Sequence, residues 1–255
     1  MPLKTVLIVP CFNEARRLPG EKFRDFALHH PDCSFLFVND GSTDQTEAML
    51  ATVCDGASPQ FDYINCGQNM GKGGAVHHGF LAASKRSPKY IGYWDSDLSA
   101  PLNELDRMIA LMDAQPATTL VMGARERSAT ANIRRTRLRS IIGQTFRWLR
   151  NRLLDTDLTD TQCGAKLMRV CPPICCALQT PFLTRWLFDI EIIMRLQSSD
   201  PEPPEIVTMP LNQWADSGGS RVTFWEMIRI VFELASLVRI HRVKIVAPTG
   251  TLRSE

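Results

Sequence analysis

The sequence predicts an α/β fold: a mostly parallel sheet flanked by helices, with amphipathic helices in the C-terminal part. Three observations carry that expectation. Apolar, β-branched runs of strand length alternate with helix-period segments through the first 125 residues. The runs are continuously apolar, which suits strands buried on both faces, as in a parallel sheet. Polar groups close several of them (Asn39-Asp40, Asp95 with Asp97, and Arg125), where a wound sheet delivers side chains to a ligand.

The elements follow in order. TVLIVPCF (5–12) reads as a buried strand and ARRLPGEKFRDFALHH (15–30) as a helix. SFLFVND (34–40) is a second strand, followed by a helix over DGSTDQTEAMLATV with Ser42, Thr43 or Asp44 as its cap. FDYINC (61–66) is a third strand, and GKGGAVHHGFLAAS (71–84) a helix opened by glycines. YIGYWDSD (90–97) is a fourth, PLNELDRMIALMDAQP (101–116) a helix with Pro101 near its start, and TTLVMGAR (118–125) a further strand. Beyond Arg125 the pattern changes. Residues 134–154 place Ile141, Ile142, Phe146, Leu149 and Leu153 at helical spacing with arginines between them. Residues 155–169 read as a loop leading into a short strand, 185–197 as a helix, and 201–210 as a proline-bearing connection. A final amphipathic helix spans 222–240. The expected organisation is one domain over 1–222 and a C-terminal helix and tail over 223–255.

Composition excludes several classes. At 44% hydrophobic and 22% charged residues the chain is that of an ordinary globular protein, able to bury a sizeable core. A net charge of +2 gives no support to nucleic acid as a partner. The charge is uneven, however: nine arginines lie between Arg125 and Arg152 against Glu126 alone. Such a segment suits phosphates, on a substrate or on a membrane. The eight cysteines lack zinc-finger spacing, and MPLKTVLIVP lacks the form of a secretory leader, so reduced thiols in a cytoplasmic protein are expected. No apolar run reaches the roughly 18 residues of a membrane-spanning helix.

The chemistry gathers at strand ends. Side chains at i and i+2 of an extended segment share a side, so Asp95 and Asp97 would converge and repel unless a cation lay between them. A hard divalent ion, Mg²⁺ or Mn²⁺, held there would leave coordination positions for a diphosphate. Turn carboxylates capping the helix at Pro101 are the alternative. In NDGSTD (39–44), Asp40 could accept an N–H from a base, with Gly41 where backbone must come close; a plain strand-to-helix turn has the same composition. GQNMGKGGAV (67–76) opens a helix whose N–H groups could meet phosphate, although Lys72 is followed by Gly73 and the Walker pattern is unmet. His77 and His78 read as structural. Neither a Ser-His-Asp order nor HExxH supports a hydrolase, and CFNEARR stands where a nucleotidyltransferase would carry a glycine- and arginine-rich loop.

In order and spacing, VPCFNEARRLP, FVNDGSTD, NMGKGGAVHHG, DSD and GAR resemble the inverting family-two glycosyltransferases of the Rossmann-like GT-A fold. With DTQCGAKLMR (160–169), RWLFDIEI (185–192) and GGSRV (218–222), the chain is similar more narrowly to dolichyl-phosphate β-glucosyltransferases and related polyprenyl-phosphate glycosyltransferases. The resemblance covers about residues 5–222 and implies roles. Pro10, Asn13, Glu14, Asp40 and Gly41 would line the nucleotide pocket, with Gly71 and Lys72 near base and ribose. Asp95 would face the ribose or diphosphate and share the metal with Asp97, its direct ligand. Gln162, Cys163 and Gly164 would form the sugar-side loop. Arg125 would approach the phosphate of the acceptor, joined by Arg134, Arg135, Arg137 and Arg139. Asp189 and Glu191 occupy an acidic motif that supplies a base in many relatives.

The implied reaction moves a sugar, glucose first, from a UDP-sugar to a polyprenyl or dolichyl phosphate. A phosphate acceptor is already an anion, so positioning and neutralisation matter more than a base. The anchors or spans of membrane-bound relatives have no counterpart here; the Arg-rich 134–154 could dock on an anionic bilayer or pack against the sheet, and for the 222–240 helix, which could dock likewise, packing against the sheet is favoured. Two other readings stand beside this one. One is a family-two transferase acting on a soluble hydroxyl acceptor with Asp189 as base. The other is a non-catalytic sugar-nucleotide-binding or membrane scaffold.

Overall fold

Seven strands form one sheet in the order β3-β2-β1-β4-β6-β5-β7. They are β1 (Thr5–Cys11), β2 (Cys33–Asn39), β3 (Phe61–Asn65), β4 (Tyr90–Trp94), β5 (Thr118–Ala124), β6 (Ala165–Arg169) and β7 (Glu205–Pro210). The computed structural model describes residues 4–56, 59–125, 160–198, 203–215, 229–230, 232–237 and 239. The helices are α1 (Gly20–His29), α2 (Thr46–Cys54), α3 (Gly71–Ser84), α4 (Glu104–Ala114), α5 (Pro172–Gln179) and α6 (Phe188–Gln197). The chain divides into two compact units: Met1–Ile133 with Leu158–Gly219, and Arg134–Asp157 with Ser220–Glu255. In the second, 229–230 and 232–237 are helical, and Leu234 and Leu237 are buried.

The continuous apolar runs become the strands buried on both faces. Val6 to Val9 of β1 and Phe35 to Val38 of β2 are fully buried, flanked by parallel neighbours on either side. Helix α1 seats Phe23 and Ala27, one turn apart, on one face, and Phe23 meets Phe35 and Phe37 edge-on with ring centroids 5.2 Å away in each case. The edge strand β3 has no fully buried residue and carries Asp62 outward, as expected of a sheet margin.

The sheet is mixed rather than wholly parallel. β6 runs antiparallel to both β4 and β5, so β5 is again parallel to β4, and β7 is parallel to β5. The carboxyl ends of β1, β2, β4, β5 and β7 and the amino end of β6 therefore share one edge. The direction of winding reverses between β1 and β4, and that is the crevice where open α/β sheets take their ligands.

Several boundaries differ from the sequence expectation. β4 ends at Trp94, and Asp95 to Leu98 form a turn closed by Leu98 N–H donating to Asp95 O at 3.1 Å. The acidic pair thus sits on a turn, and the i, i+2 argument for an extended segment does not apply. The Trp94 indole N–H donates to Ala100 O at 2.6 Å and fixes this turn to the buried end of the strand. Helices α1, α2, α4 and α6 begin later than the patterns suggested. CPPICC, noted only for its cysteines, opens α5 with Pro172 in its first turn, where the missing N–H has no helical partner to lose. The proline-bearing connection contains β7, and all eight cysteines are free thiols. Among the described residues no helix is long and apolar enough to cross a membrane.

Candidate active site

The loop after β1 and the loop after β2 are laced together. Asn13 has φ 53°, its N–H donates to Ser42 Oγ at 2.9 Å, and its Oδ1 accepts the Thr43 N–H at 2.8 Å. Buried Glu14 donates its N–H to Thr46 Oγ1 at 2.8 Å, while Pro10 lies half-buried near the end of β1. Asp40 uses both carboxylate oxygens on the loop before α3, accepting N–H groups of Met70 at 2.7 Å and Gly71 at 2.9 Å. Burial pushes its carboxyl up while those amides work against the shift. Each oxygen retains a lone pair for a further donor such as a base imide. Gly41 has φ +64°, and a Cβ there would stand 2.5 Å from Asn69 N, so only glycine fits between the two loops.

That anchoring places Lys72 beside the acidic turn. Its Nζ lies 2.5 Å from Asp95 Oδ1 and 5.6 Å from the centre of the Tyr93 ring. Burial alone would lower its affinity for the proton, but Asp95, then Asp189 and Asp97, hold it above the ordinary lysine value. Asp97 points the other way along the turn, with Oδ1 accepting the Ser99 N–H at 3.0 Å and Oδ2 lying 3.4 Å from an Arg17 guanidinium nitrogen. The two carboxylates are 34% and 23% exposed, open to a ligand on both sides.

The start of β6 closes on Asp95. Asp95 N–H donates to Gly164 O at 2.8 Å, extending the β4–β6 ladder by one rung beyond Trp94 and Ala165. A Cβ on Gly164 would overlap the Asp95 carboxylate. Gln162 is half-buried, its Nε2 3.4 Å from Asp189 Oδ2. Cys163 is buried, and burial pushes its thiol up, so this residue offers its carbonyl rather than its sulfur.

Beneath the loop lies a polar cluster that sequence reasoning missed. Lys166, 1% exposed, donates to Tyr93 Oη at 2.8 Å and Cys163 O at 2.7 Å, and pairs with Asp189 Oδ1 at 2.8 Å. The Tyr93 hydroxyl in turn donates to Asp189 Oδ1. Burial pushes the Asp189 carboxyl up to about 8, Lys72 opposing, and pushes the Lys166 ammonium down to about 7. With both oxygens engaged and 4% exposure, Asp189 braces the site from below. Glu191 is not brought to it. Its carboxylate accepts the Leu183 and Thr184 N–H groups and pairs with Arg195 at 2.6 Å, binding the α5–α6 connection.

Arg125 follows β5 on the same edge. Its Nε and an NH2 group donate to the two Asp160 oxygens at 2.7 and 2.9 Å, and its guanidinium lies 5.5 Å from the Trp214 ring centre. Asp160 is a second missed residue; no local pattern pairs positions 35 apart. Burial would raise its carboxyl, but the Arg125 bonds outweigh that and hold it below the usual range. A depressed acid stabilises the native state fully above its unfolded value, near pH 4, and less as pH falls through the lower folded one. Melting temperature should accordingly fall more steeply below about pH 4 in the wild type than in Asp160→Asn. Equal slopes by circular dichroism would refute the clamp. Arg134, Arg135, Arg137 and Arg139 lie outside the described residues.

A divalent cation fits this turn only in part. Among the described residues no group of three or more His, Cys, Asp or Glu side chains is placed to hold a metal. Two open carboxylates are instead the donor set of a hard ion that takes its remaining oxygens from water and a bound diphosphate.

The chain resembles known proteins in sequence and in fold. Residues 6–171 match the family described as Glycosyl transferase family 2. A dolichyl-phosphate beta-glucosyltransferase of Trichomonas vaginalis is 28% identical over 247 residues, covering 91% of this chain and 70% of that one. The Mus musculus dolichyl-phosphate beta-glucosyltransferase is 28% identical over 241 residues, covering 88% and 71%. Among solved structures, glucosyl-3-phosphoglycerate synthase from Mycobacterium tuberculosis with Mn²⁺, UDP and glucosyl-3-phosphoglycerate superimposes with a TM-score of 0.66. It is 17% identical, over 92% of this chain and 79% of that one. The mannosyl-3-phosphoglycerate synthase of Rubrobacter xylanophilus gives 0.64 at 16% identity, over 99% and 79%. The likeness extends to the whole mixed sheet, and the fold is GT-A.

Proposed function

This chain belongs to glycosyltransferase family 2, and on that premise we propose that it transfers glucose from UDP-glucose to a polyprenyl phosphate, dolichyl phosphate or a close analogue. The observation that carries the donor half is the Lys72–Asp95 pair beside Asp97, at the crevice between β1 and β4. The acceptor half is supported by relatives named for dolichyl phosphate that align with nine-tenths of the chain.

Asp97, with Asp95, would hold Mg²⁺ or Mn²⁺ against the donor; a structure of the same fold contains Mn²⁺ with UDP. When bound, such an ion neutralises charge gathering on a leaving diphosphate. The remaining work falls to the chain. Asp40 secures the 68–71 loop and with it Lys72, while Lys72 pairs with Asp95 and holds it in place. Asn13, Glu14, Gly41 and Gly71 frame the nucleotide, and Gln162 to Gly164 the sugar. Arg125, held by Asp160 through two nitrogens, keeps further N–H groups for the acceptor phosphate. An oxygen of that phosphate attacks the anomeric carbon as its bond to UDP breaks, with inversion. No proton has to be removed, because the acceptor is an anion at neutral pH.

A hydroxyl acceptor would require a base, and Asp189 is the candidate the sequence offers. Its burial and its bonds to Tyr93, Lys166 and Gln162 favour the phosphate acceptor instead. A polyprenyl acceptor is a membrane lipid, so the enzyme would work at a bilayer surface from the cytoplasmic side, with 134–154 as its proposed contact. Assay of UDP release with Mn²⁺ should show stimulation by a short polyprenyl phosphate and dependence on UDP-glucose over GDP- and dTDP-sugars. Release unaffected by any such lipid would refute the acceptor.

A further inference from the structure

Lys166 is a buried charge that the proposed reaction leaves without a task. It sits on β6 opposite Tyr93, in a sheet position where an apolar side chain would ordinarily lie. Its three ammonium hydrogens meet three acceptors: Tyr93 Oη, Asp189 Oδ1 and Cys163 O. A buried ion pair by itself is a poor source of stability, since apolar residues of like volume often do as well or better. The third bond is different in kind. It reaches out of the pair to the backbone of the loop that faces the donor.

We propose that Lys166 is a positioning residue for the donor site, holding the Cys163 carbonyl so that Gly164 stays closed on Asp95. The proposal deepens the function given above and rests on the reading that Asp95 serves the donor. Covalent connection does the rest. Cys163 is fixed through its carbonyl by Lys166, and Gly164, the next residue, accepts the Asp95 N–H at 2.8 Å and crowds its carboxylate. Gln162, on the other side, reaches the same Asp189 that partners Lys166. One buried carboxylate and one ammonium thus hold Gln162 and Cys163, the first two residues of a three-residue loop. The loop sets where Asp95 stands relative to Lys72, whose Nζ approaches it from α3. The proposed action of Lys166 on Asp95 runs through the loop backbone, beside a direct electrostatic attraction between the two groups.

The test separates packing from positioning. In Lys166→Met a buried carboxylate is left unpaired, so both melting temperature and ligand affinity should drop. In Lys166→Met/Asp189→Leu the charge is gone from both partners, and the melting temperature should recover toward wild type. Affinity for UDP with Mn²⁺, titrated by calorimetry on the full chain, should stay about tenfold or more below wild type, the scale of supporting-residue losses around metal sites. A double variant that melts normally and binds UDP with Mn²⁺ as tightly as wild type would overturn the proposal. Should that variant not fold, Lys166→Gln supplies a second reading. It keeps a donor for the Cys163 carbonyl and should bind more tightly than Lys166→Met, whereas equal losses would overturn the proposal. Wild-type protein that binds GDP or dTDP in place of UDP refutes the UDP assignment, and the Lys166 comparison is then run with that nucleotide.

Discussion

Asp97→Ala should lower glucose transfer by about 10²–10³-fold, the usual consequence of removing one preorganised electrostatic group from a site of charge development. The fold should survive. Asp97 lies on the turn after β4, about a quarter exposed, with a 3.0 Å bond from Ser99 N–H and a 3.4 Å approach from Arg17. Losing one partly solvated hydrogen bond and a weak surface pair costs about 1 kcal/mol. In a chain of this size that lowers the melting temperature by roughly 2–4 °C. Asp95→Ala is a less clean probe, because it strips the half-buried Lys72 of its nearest anion. Asp97 pairs instead with the partly exposed Arg17. Its variant should also need more Mn²⁺ for half-maximal rate, since a hard ion would have lost one of two carboxylates. Full transfer activity at ordinary Mn²⁺ would remove Asp97 from the cation site and leave the donor to Lys72 and Asp95.

How much of this was legible beforehand follows from where each residue lies along the chain. Buried parallel strands carry a signal that depends on nothing distant, so β1, β2 and β5 stand within a residue or two of their apolar runs, and α3 has the bounds its sequence suggests. A wound sheet puts the ends of such strands on one edge, so Asp40, Asp95, Asp97 and Arg125 could be gathered without coordinates. The short β6 was visible only as a short strand after a loop; that it is inserted antiparallel between β4 and β5 is a matter of pairing, which five residues of AKLMR do not encode. Everything that depends on that insertion was hidden with it. Lys166 meets Tyr93 across 73 residues and Arg125 meets Asp160 across 35, and neither contact leaves a periodic trace. The acidic pair was placed at the right strand for a reason that does not hold: the two residues share a turn rather than a strand face. Glu191 shows the converse. Its neighbour Asp189 joins the cluster beneath the site, while two positions along the same helix the carboxylate faces the α5–α6 connection.

The second large effect is expected at Gly164, a residue with no side chain to contribute. Its backbone is not in the left-handed region, so alanine there is not opposed by conformation. The three atoms nearest an added Cβ all belong to the Asp95 carboxylate, and the overlap is too deep for the backbone to absorb. Asp95 must then rotate away from Lys72, and the 2.5 Å pair between them breaks. Displacing a positioning group by about 1 Å commonly costs 10²-fold in rate, and a loss of that order in kcat/KM for UDP-glucose is expected for Gly164→Ala. Reduced activity alone would not identify the cause, since any insertion in a packed loop can disturb a site. The discriminating measurement is a double-mutant cycle with Asp95→Ala. Once Asp95 carries no carboxylate, the three atoms nearest a methyl at position 164 are gone, and adding Gly164→Ala should change kcat/KM by no more than about twofold. Effects that multiply would mean that Gly164 acts on the donor by some route other than Asp95. Strong non-additivity would assign the glycine a single task, to make room for a carboxylate that the β6 loop has to touch.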